Sequence, residues 1–293
     1  MQLLLQAVLD GILLGGVYAT LALGISLAYG IMHVINWAVG EVLMLGMYLA
    51  FVLISSFGID PYATVPISIL VMFALGFFMQ KTMLNRVIQR SGQMAGHNVL
   101  LFTAGFGYIA ASLISMVFGT LTKAVVTDYA NASVKVGAFV APVPKLASCV
   151  IAVAATVGLY LFIHRRETGR AIRATSQDRR TAELMGINSK LMFCIGLGLS
   201  FAVLGLTASL LVPYYPFTPY IGATFAFKAF IIVVVGGRGN IMGALVGGMF
   251  IGLVEKVVGS LVNDSFAQIL VFCVLIAVLL VRPDGLLTKR RSI

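Results

Sequence analysis

Two apolar runs, Leu146–Ile163 and Leu191–Val212, leave this chain little choice of solvent. Each is close to the ~20 residues a helix needs to cross a bilayer. Between them lies one polar stretch, His164–Lys190, with seven basic and three acidic residues. The runs are continuous rather than alternating, which excludes a transmembrane β-barrel. Composition agrees: 60% of residues are hydrophobic and 10% charged, with a mean hydropathy of +1.04, whereas soluble domains are about a quarter charged. The expected fold is an all-α polytopic membrane protein, a single transmembrane domain over 1–293. Spans of ~20 residues plus loops allow about eight transmembrane helices.

A formal net charge of +10 would point to nucleic acid in a soluble protein. Here the basic residues crowd into a few loops and set topology instead, so no nucleic-acid partner is expected. Lys81, Arg86 and Arg90, the seven of the long stretch, Arg238 and the four after Val281 make 15 of the 20. Lys123, Lys135 and Lys145 fall on the opposite side, and Lys228 and Lys256 are undecided. This bias puts the long loop and the C-terminus in the cytoplasm. Three spans before the first basic loop put the N-terminus outside, unless a re-entrant segment changes the count. Cys149, Cys194 and Cys273 lie in apolar runs without metal-ligand spacing, so neither a disulfide framework nor a metal site is expected. The opening MQLLLQAVLDGILLGG lacks a basic n-region and carries Asp10, so it reads as a retained first helix and not a signal peptide.

In chain order the remaining spans are Gln2–Tyr29, Val42–Phe57, Ala63–Met79, Asn98–Phe118, Met249–Leu261 and Phe266–Val281. Polarity intrudes between the first two without a proper loop, at His33, Asn36, Trp37, Gly40 and Glu41. A helix broken inside the membrane is tolerated only where its backbone is buried in protein or lines a wet cavity. A short cytoplasmic turn with a solvated Glu41 is the alternative. Thr120–Lys145 suits a short hairpin outside the membrane. Pro213, Pro216 and Pro219 alternate with Tyr214, Tyr215 and Tyr220, which suits an interfacial aromatic belt, or contact with a docking protein. Thr224–Val235 is too short to cross a ~30 Å core. The glycines that follow (Gly236, Gly237, Gly239, Gly243 and Gly247) suit close packing of a re-entrant or short helix. They lack the Lys-Ser/Thr ending of a phosphate loop.

The polar stretch has internal order. Arg170–Thr175 continues the preceding helix past the membrane surface. Ser176 or Asp178 caps a second, short helix over Arg179–Met185, and Gly186 supplies its left-handed exit. Asn188 caps the following span. At i, i+3 spacing Ala182 and Met185 share a face, an apolar knob ringed by arginines. That shape fits a cleft on a soluble partner. A solvated basic loop that fixes topology and meets anionic lipid is the other reading.

The run ETGRAIRATSQDRRTAELMGIN closely resembles the cytoplasmic loop of the branched-chain amino-acid ABC importer permeases, the LivH-type family. Thr168-Gly169-Arg170-Ala171, Arg173-Ala174, Gln177-Asp178 and Met185-Gly186-Ile187-Asn188 carry the match, and the resemblance spans essentially the whole chain. In that family the loop holds the coupling helix that seats on the ATPase. The resemblance therefore implies docking by Gly169, Arg170, Arg173, Ala174, Asp178, Arg179, Ala182, Met185, Gly186 and Ile187. The family also has an Asn-aromatic-Ala-His-Gly-Glu segment, which stands here as Asn36-Trp37-Ala38-Val39-Gly40-Glu41. Asn36, Gly40 and Glu41 of this interrupted, polar stretch are the candidate translocation-path residues, and Val39 replaces the usual histidine. Without a Walker motif, the chain binds no cofactor of its own; ATP and Mg would sit on two separate ATPase subunits. A second related permease and a periplasmic substrate-binding protein are the other implied partners, and branched-chain amino acids the implied cargo.

Two other classes remain. An ion-coupled carrier would use ionisable groups inside spans, for which Glu41, Lys228 and Glu255-Lys256 qualify. A membrane enzyme would need clustered Asp, Glu or His; the ten acidic residues are scattered, and His33, His97 and His164 never pair at metal spacing.

Overall fold

A computed structural model describes residues 2–32, 36–91, 94–125, 132–136, 139–237, 239–282 and 285. The first half contributes α1 (Gln2–Met32), α2 (Val39–Phe57), α3 (Thr64–Met79), α4 (Asn85–Ser91) and α5 (Ala95–Phe118). An antiparallel hairpin follows, β1 (Ser133–Val136) with β2 (Phe139–Pro142). The second half is α6 (Val143–Arg165), α7 (Glu167–Gln177), α8 (Arg179–Leu184), α9 (Ser189–Leu211), α10 (Ile221–Gly236), α11 (Ile241–Leu261) and α12 (Asp264–Val281). Eight helical segments among the described residues are long and apolar enough to cross a membrane, and α10 is a shorter apolar helix.

Helices packed in lipid gain no hydrophobic free energy from touching one another, so small residues that admit close van der Waals contact hold them together. α1 and α11 meet this way. A Cβ on Gly11 or Gly15 would lie 2.8 or 2.7 Å from the Cα of Leu253 or Met249, and Gly248 and Gly252 press back on Ala19 and Gly15. α9 fills the centre and ties in its neighbours by buried hydroxyls. Ser200 Oγ donates to the Gly24 carbonyl (2.6 Å) and Ser209 Oγ to Ser68 Oγ (2.9 Å). α12 is the most exposed of the spans.

Several expected boundaries move. The third span does not stop at Met79: a π-helical turn, Gln80–Leu84, carries it straight into α4. Lys81, Arg86 and Arg90 therefore ride on a helix instead of a loop. The last turns of the glycine-rich run are helical, so α11 begins at Ile241, eight residues before the expected Met249. The proline–tyrosine segment is largely turned inward. Phe217 is fully buried against Tyr48 (5.1 Å between rings) and pairs its backbone with Lys123, leaving Tyr220 exposed. Thr120–Lys145 does contain a hairpin, although its Asp128 and Asn131 lie outside the described residues.

The bundle has two distinct ends. At one, Lys145 pairs with Asp10 (2.8 Å) and the Tyr62 hydroxyl donates to the Pro144 carbonyl (2.8 Å). At the other, Gly30, His164, Arg173 and Asn240 line one cleft and Gly285 packs on Gly237. α10 runs from the first end toward the second, turns through Gly237 (φ 102°) and Gly239 (φ 74°), and returns as α11. It is thus a short helix joined to α11 by a tight glycine turn. Its 16 residues span about 24 Å, less than a ~30 Å hydrocarbon core. Gly222 near its start and Gly236 and Gly237 at its end are buried in protein, which helps to permit the shortfall.

Adding bulk where α1 meets α11 should loosen the bundle. Gly248→Leu is expected to destabilise by about 1–3 kcal/mol, the usual range for overpacking. Gly158→Leu, at a glycine with nothing within 4 Å, should be near neutral. Thermal unfolding of the detergent-solubilised protein separates the two, and equal midpoints would contradict this packing.

Candidate functional site

Two regions carry polar residues into or beyond the bundle. The first is the loop over α7 and α8. The chain does not run on from α6: Arg166 is extended (φ −83°, ψ 148°), and α7 folds back sharply from there. Only a glycine at 169 allows this, because a Cβ there would lie 2.5 Å from the Ile163 Cα. Ile172 then buries among Leu27, Ile31, Ile163 and Phe193, fixing α7 to the membrane bundle.

α8 is a single capped turn-and-a-half. Asp178 accepts from the amides of Arg180 (2.9 Å) and Thr181 (3.2 Å) and from the Thr181 hydroxyl (2.6 Å). The Thr181 hydroxyl, then its amide, hold the Asp178 carboxyl below the usual carboxylate range. Glu183 is lowered chiefly by its hydrogen bond from Arg179 (Nε to Oε1, 3.0 Å). Gly186 takes a left-handed φ of 81°, so that the Ile187 amide reaches back to the Ala182 carbonyl (3.0 Å). Asn188 caps α9 through the Leu191 amide (3.2 Å).

The expected apolar face does not survive intact. Ala182 points inward and is buried, whereas Met185 is 78% exposed. The helix ends at Leu184, which takes Met185 off the i, i+3 register. Leu184, 82% exposed, joins Met185 at the tip. Of the other loop residues singled out by sequence, Arg170, Asp178 and Gly186 are exposed, Gly169 is buried, and Arg173, Ala174, Arg179 and Ile187 are intermediate.

The second region is the break between α1 and α2. Asn36 Oδ1 accepts from the Ala38 amide (2.9 Å) and the Trp37 amide donates to Thr103 Oγ1 (3.1 Å), so the interrupted backbone is satisfied by side chains. Thr103 is the ninth residue of α5, which places the break well inside the bundle and not in a solvated turn. Glu41 sits in the first turn of α2, where the helix dipole favours a carboxylate. Its Oε2 is buried without a hydrogen-bond partner among the described residues, facing Gly107. Trp37 is 45% exposed and meets Phe227 edge-on (6.1 Å). Gly40 is buried against Gly222, whose carbonyl a Cβ would strike. His33 lies outside the described residues.

The ionisable residues of the later spans are brought together across elements. Lys228 of α10 pairs with Glu255 of α11 (Nζ to Oε1, 2.8 Å) and donates to the Tyr18 hydroxyl of α1 (2.9 Å). The neighbouring Lys256 takes no part. The sequence gives no sign of this pairing, because the partners lie 27 positions apart on different helices. The packing glycines also act in pairs: Gly236 faces Gly243, and Gly247 lies against the Ile232 carbonyl.

A bundle of apolar spans with an interrupted helix, buried charges and one folded polar loop defines a multi-pass membrane permease. The chain belongs to the branched-chain amino acid transport system / permease component family, whose model matches residues 7–279. It is 30% identical over 294 residues to the high-affinity branched-chain amino acid transport system permease protein BraD of Pseudomonas aeruginosa, covering 97% of this chain and 96% of that one. It is likewise 30% identical over 300 residues to the permease protein LivH of Escherichia coli, with the same coverage. A probable LivH of Methanocaldococcus jannaschii is 27% identical over 292 residues, covering 96% and 92%. No solved structure matches.

The cap at Asp178 makes a pH-dependent prediction. A carboxyl with a lowered folded pKa stabilises the turn above its unfolded pKa and loses that effect as pH falls through the folded value. Amide exchange at Arg180 and Thr181 should therefore stay protected in mild acid and accelerate only in strong acid. Asp178→Ala should remove the protection throughout; unchanged exchange in that variant would rule out the cap.

Proposed function

We propose that this permease is the membrane-spanning subunit of an ATP-driven importer that moves branched-chain or related amino acids into the cytoplasm. It would sit in the inner (cytoplasmic) membrane, with the polar loop and C-terminus on the cytoplasmic side. The observation that carries the reading is the α7–α8 unit. It is rooted in the bundle through Gly169 and Ile172, and it presents Leu184 and Met185 beside the exposed Arg180. A rigid apolar tip outside the bilayer suits a cleft on an ATPase, and its attachment to α1, α6 and α9 would pass ATPase movement to the helices around the break. Two ATPase subunits would hold the ATP and Mg, and this chain none. A second, related permease would complete the path, and a periplasmic binding protein would deliver cargo. The relatives' names, which speak of branched-chain amino acid transport systems, support the cargo.

Within that path Asn36 and Glu41 supply polar contacts, while Gly40 acts by letting α2 approach α10. Glu41→Ala is expected to cut ATP-dependent uptake at least about 10-fold with the complex still assembled; uptake at the normal rate would make Glu41 a bystander.

For docking, Leu184→Asp and Met185→Asp should release the ATPase subunits in pull-downs without disturbing membrane insertion. A carboxylate buried unpaired in an interface typically costs about 2–5 kcal/mol. Ala182→Asp should also uncouple transport, but by unfolding α8 from within, which proteolysis of the loop would report. Retention of the ATPases and of uptake in all three variants would reduce the loop to a topological tether.

A further inference from the structure

Beside the Lys228–Glu255 pair a cleft of about 160 Å³ opens between α10, α11 and α12. Thr224, Phe227, Ile231 and Gln268 help to line it, and Phe227 and Phe272, 49% and 46% exposed, stand at its rim. The hydrogen-bond inventory of the pair is incomplete in a specific way. A lysine ammonium has three donors. One goes to the Tyr18 hydroxyl (2.9 Å) and one to Glu255 Oε1 (2.8 Å), leaving one without a partner among the described residues. Glu255 Oε1 also accepts from Tyr18 (3.2 Å), but Glu255 Oε2 is buried and accepts from nothing described. The site thus holds one spare cationic donor and one spare anionic acceptor, with apolar walls around them.

That combination selects by charge. A cation drawn to Oε2 would meet the Lys228 ammonium, and an anion drawn to Nζ would meet the Glu255 carboxylate. A ligand with both charges on one carbon satisfies both and adds no net charge to a low-dielectric site. We infer that this cleft binds the zwitterionic head of an aliphatic α-amino acid, Glu255 taking the ammonium and Lys228 the carboxylate, with the side chain against Phe227 and Ile231. The inference rests on the proposed importer function and adds a substrate site that the sequence does not mark. Phe227 also touches Trp37, so one side chain joins this cleft to the break beside Glu41.

The test uses the assembled importer in nanodiscs, without its soluble binding protein, and radiolabelled leucine as probe. Saturable binding tighter than about 1 mM is expected. Isoamylamine, which lacks the carboxylate, and 4-methylpentanoate, which lacks the ammonium, should each compete at least about 10-fold less well than leucine. Glu255→Gln and Lys228→Met should each weaken binding by a similar factor. Should either variant fail to assemble, Thr224→Trp decides, since it fills the cleft from an exposed position and leaves both charged side chains in place. Unchanged leucine affinity in Thr224→Trp, equal competition by the two analogues, or no saturable binding to a wild-type complex that still transports leucine would overturn the inference. Absence of ATP-dependent leucine uptake by the wild-type complex with its binding protein would instead overturn the importer function.

Discussion

Everything in this bundle hangs on how closely its backbones approach. Apolar side chains are as well solvated by lipid as by each other, so the free energy of assembly comes from van der Waals contact and from hydrogen bonds between helices. α1 and α11 touch through glycine on both sides, and Gly40 of α2 meets Gly222 of α10 in the same manner. With the frame held this tightly, α2 can begin inside the bundle and α10 can be shorter than the bilayer is thick. Neither would be tolerated with its ends in lipid.

The frame also makes room for charge. A carboxylate at Glu41 is held by a helix dipole but leaves one oxygen unmatched, while Lys228 and Glu255 neutralise each other and leave one donor and one acceptor over. Buried, incompletely satisfied polar groups are expensive to keep; Phe227 lines the cleft beside Lys228 and Glu255 and meets Trp37, one turn before Glu41. Their position along the break and the short helix is where a permease has use for them. The same pairing weakens the case for ion coupling, since Lys228 and Glu255 are not independent charges.

What could be read from sequence divides by range. Asp178, Gly186 and Asn188 were legible because capping is local: the residue, its neighbours two or three positions on, and the sign of φ settle it. The eight long spans and the hairpin followed from apolar run lengths and a drop in hydrophobicity. The broken segment announced itself through Asn36 and Glu41 in apolar surroundings. The differences lie in tertiary contacts and in where helices end. Arg170–Thr175 was expected to extend α6, but Gly169 instead lets α7 fold onto Ile163. Met185 leaves the face of Ala182 because α8 stops after six residues. The basic residues after Met79 stayed helical because a π turn carries the helix past them. The close approach of Gly40 to Gly222, 182 positions away in sequence, has no local signal either.

In the proposed importer the loop is the coupling point, since α7 ties it to the helices and α8 holds its tip clear of them. The most direct test places a photo-crosslinking amino acid at Met185 in the assembled complex, with a lipid-facing control at Gly158. Irradiation should join the Met185 position to an ATPase subunit in high yield and leave the Gly158 position joined to lipid alone. A transport-competent complex in which Met185 also captures only lipid would contradict the account.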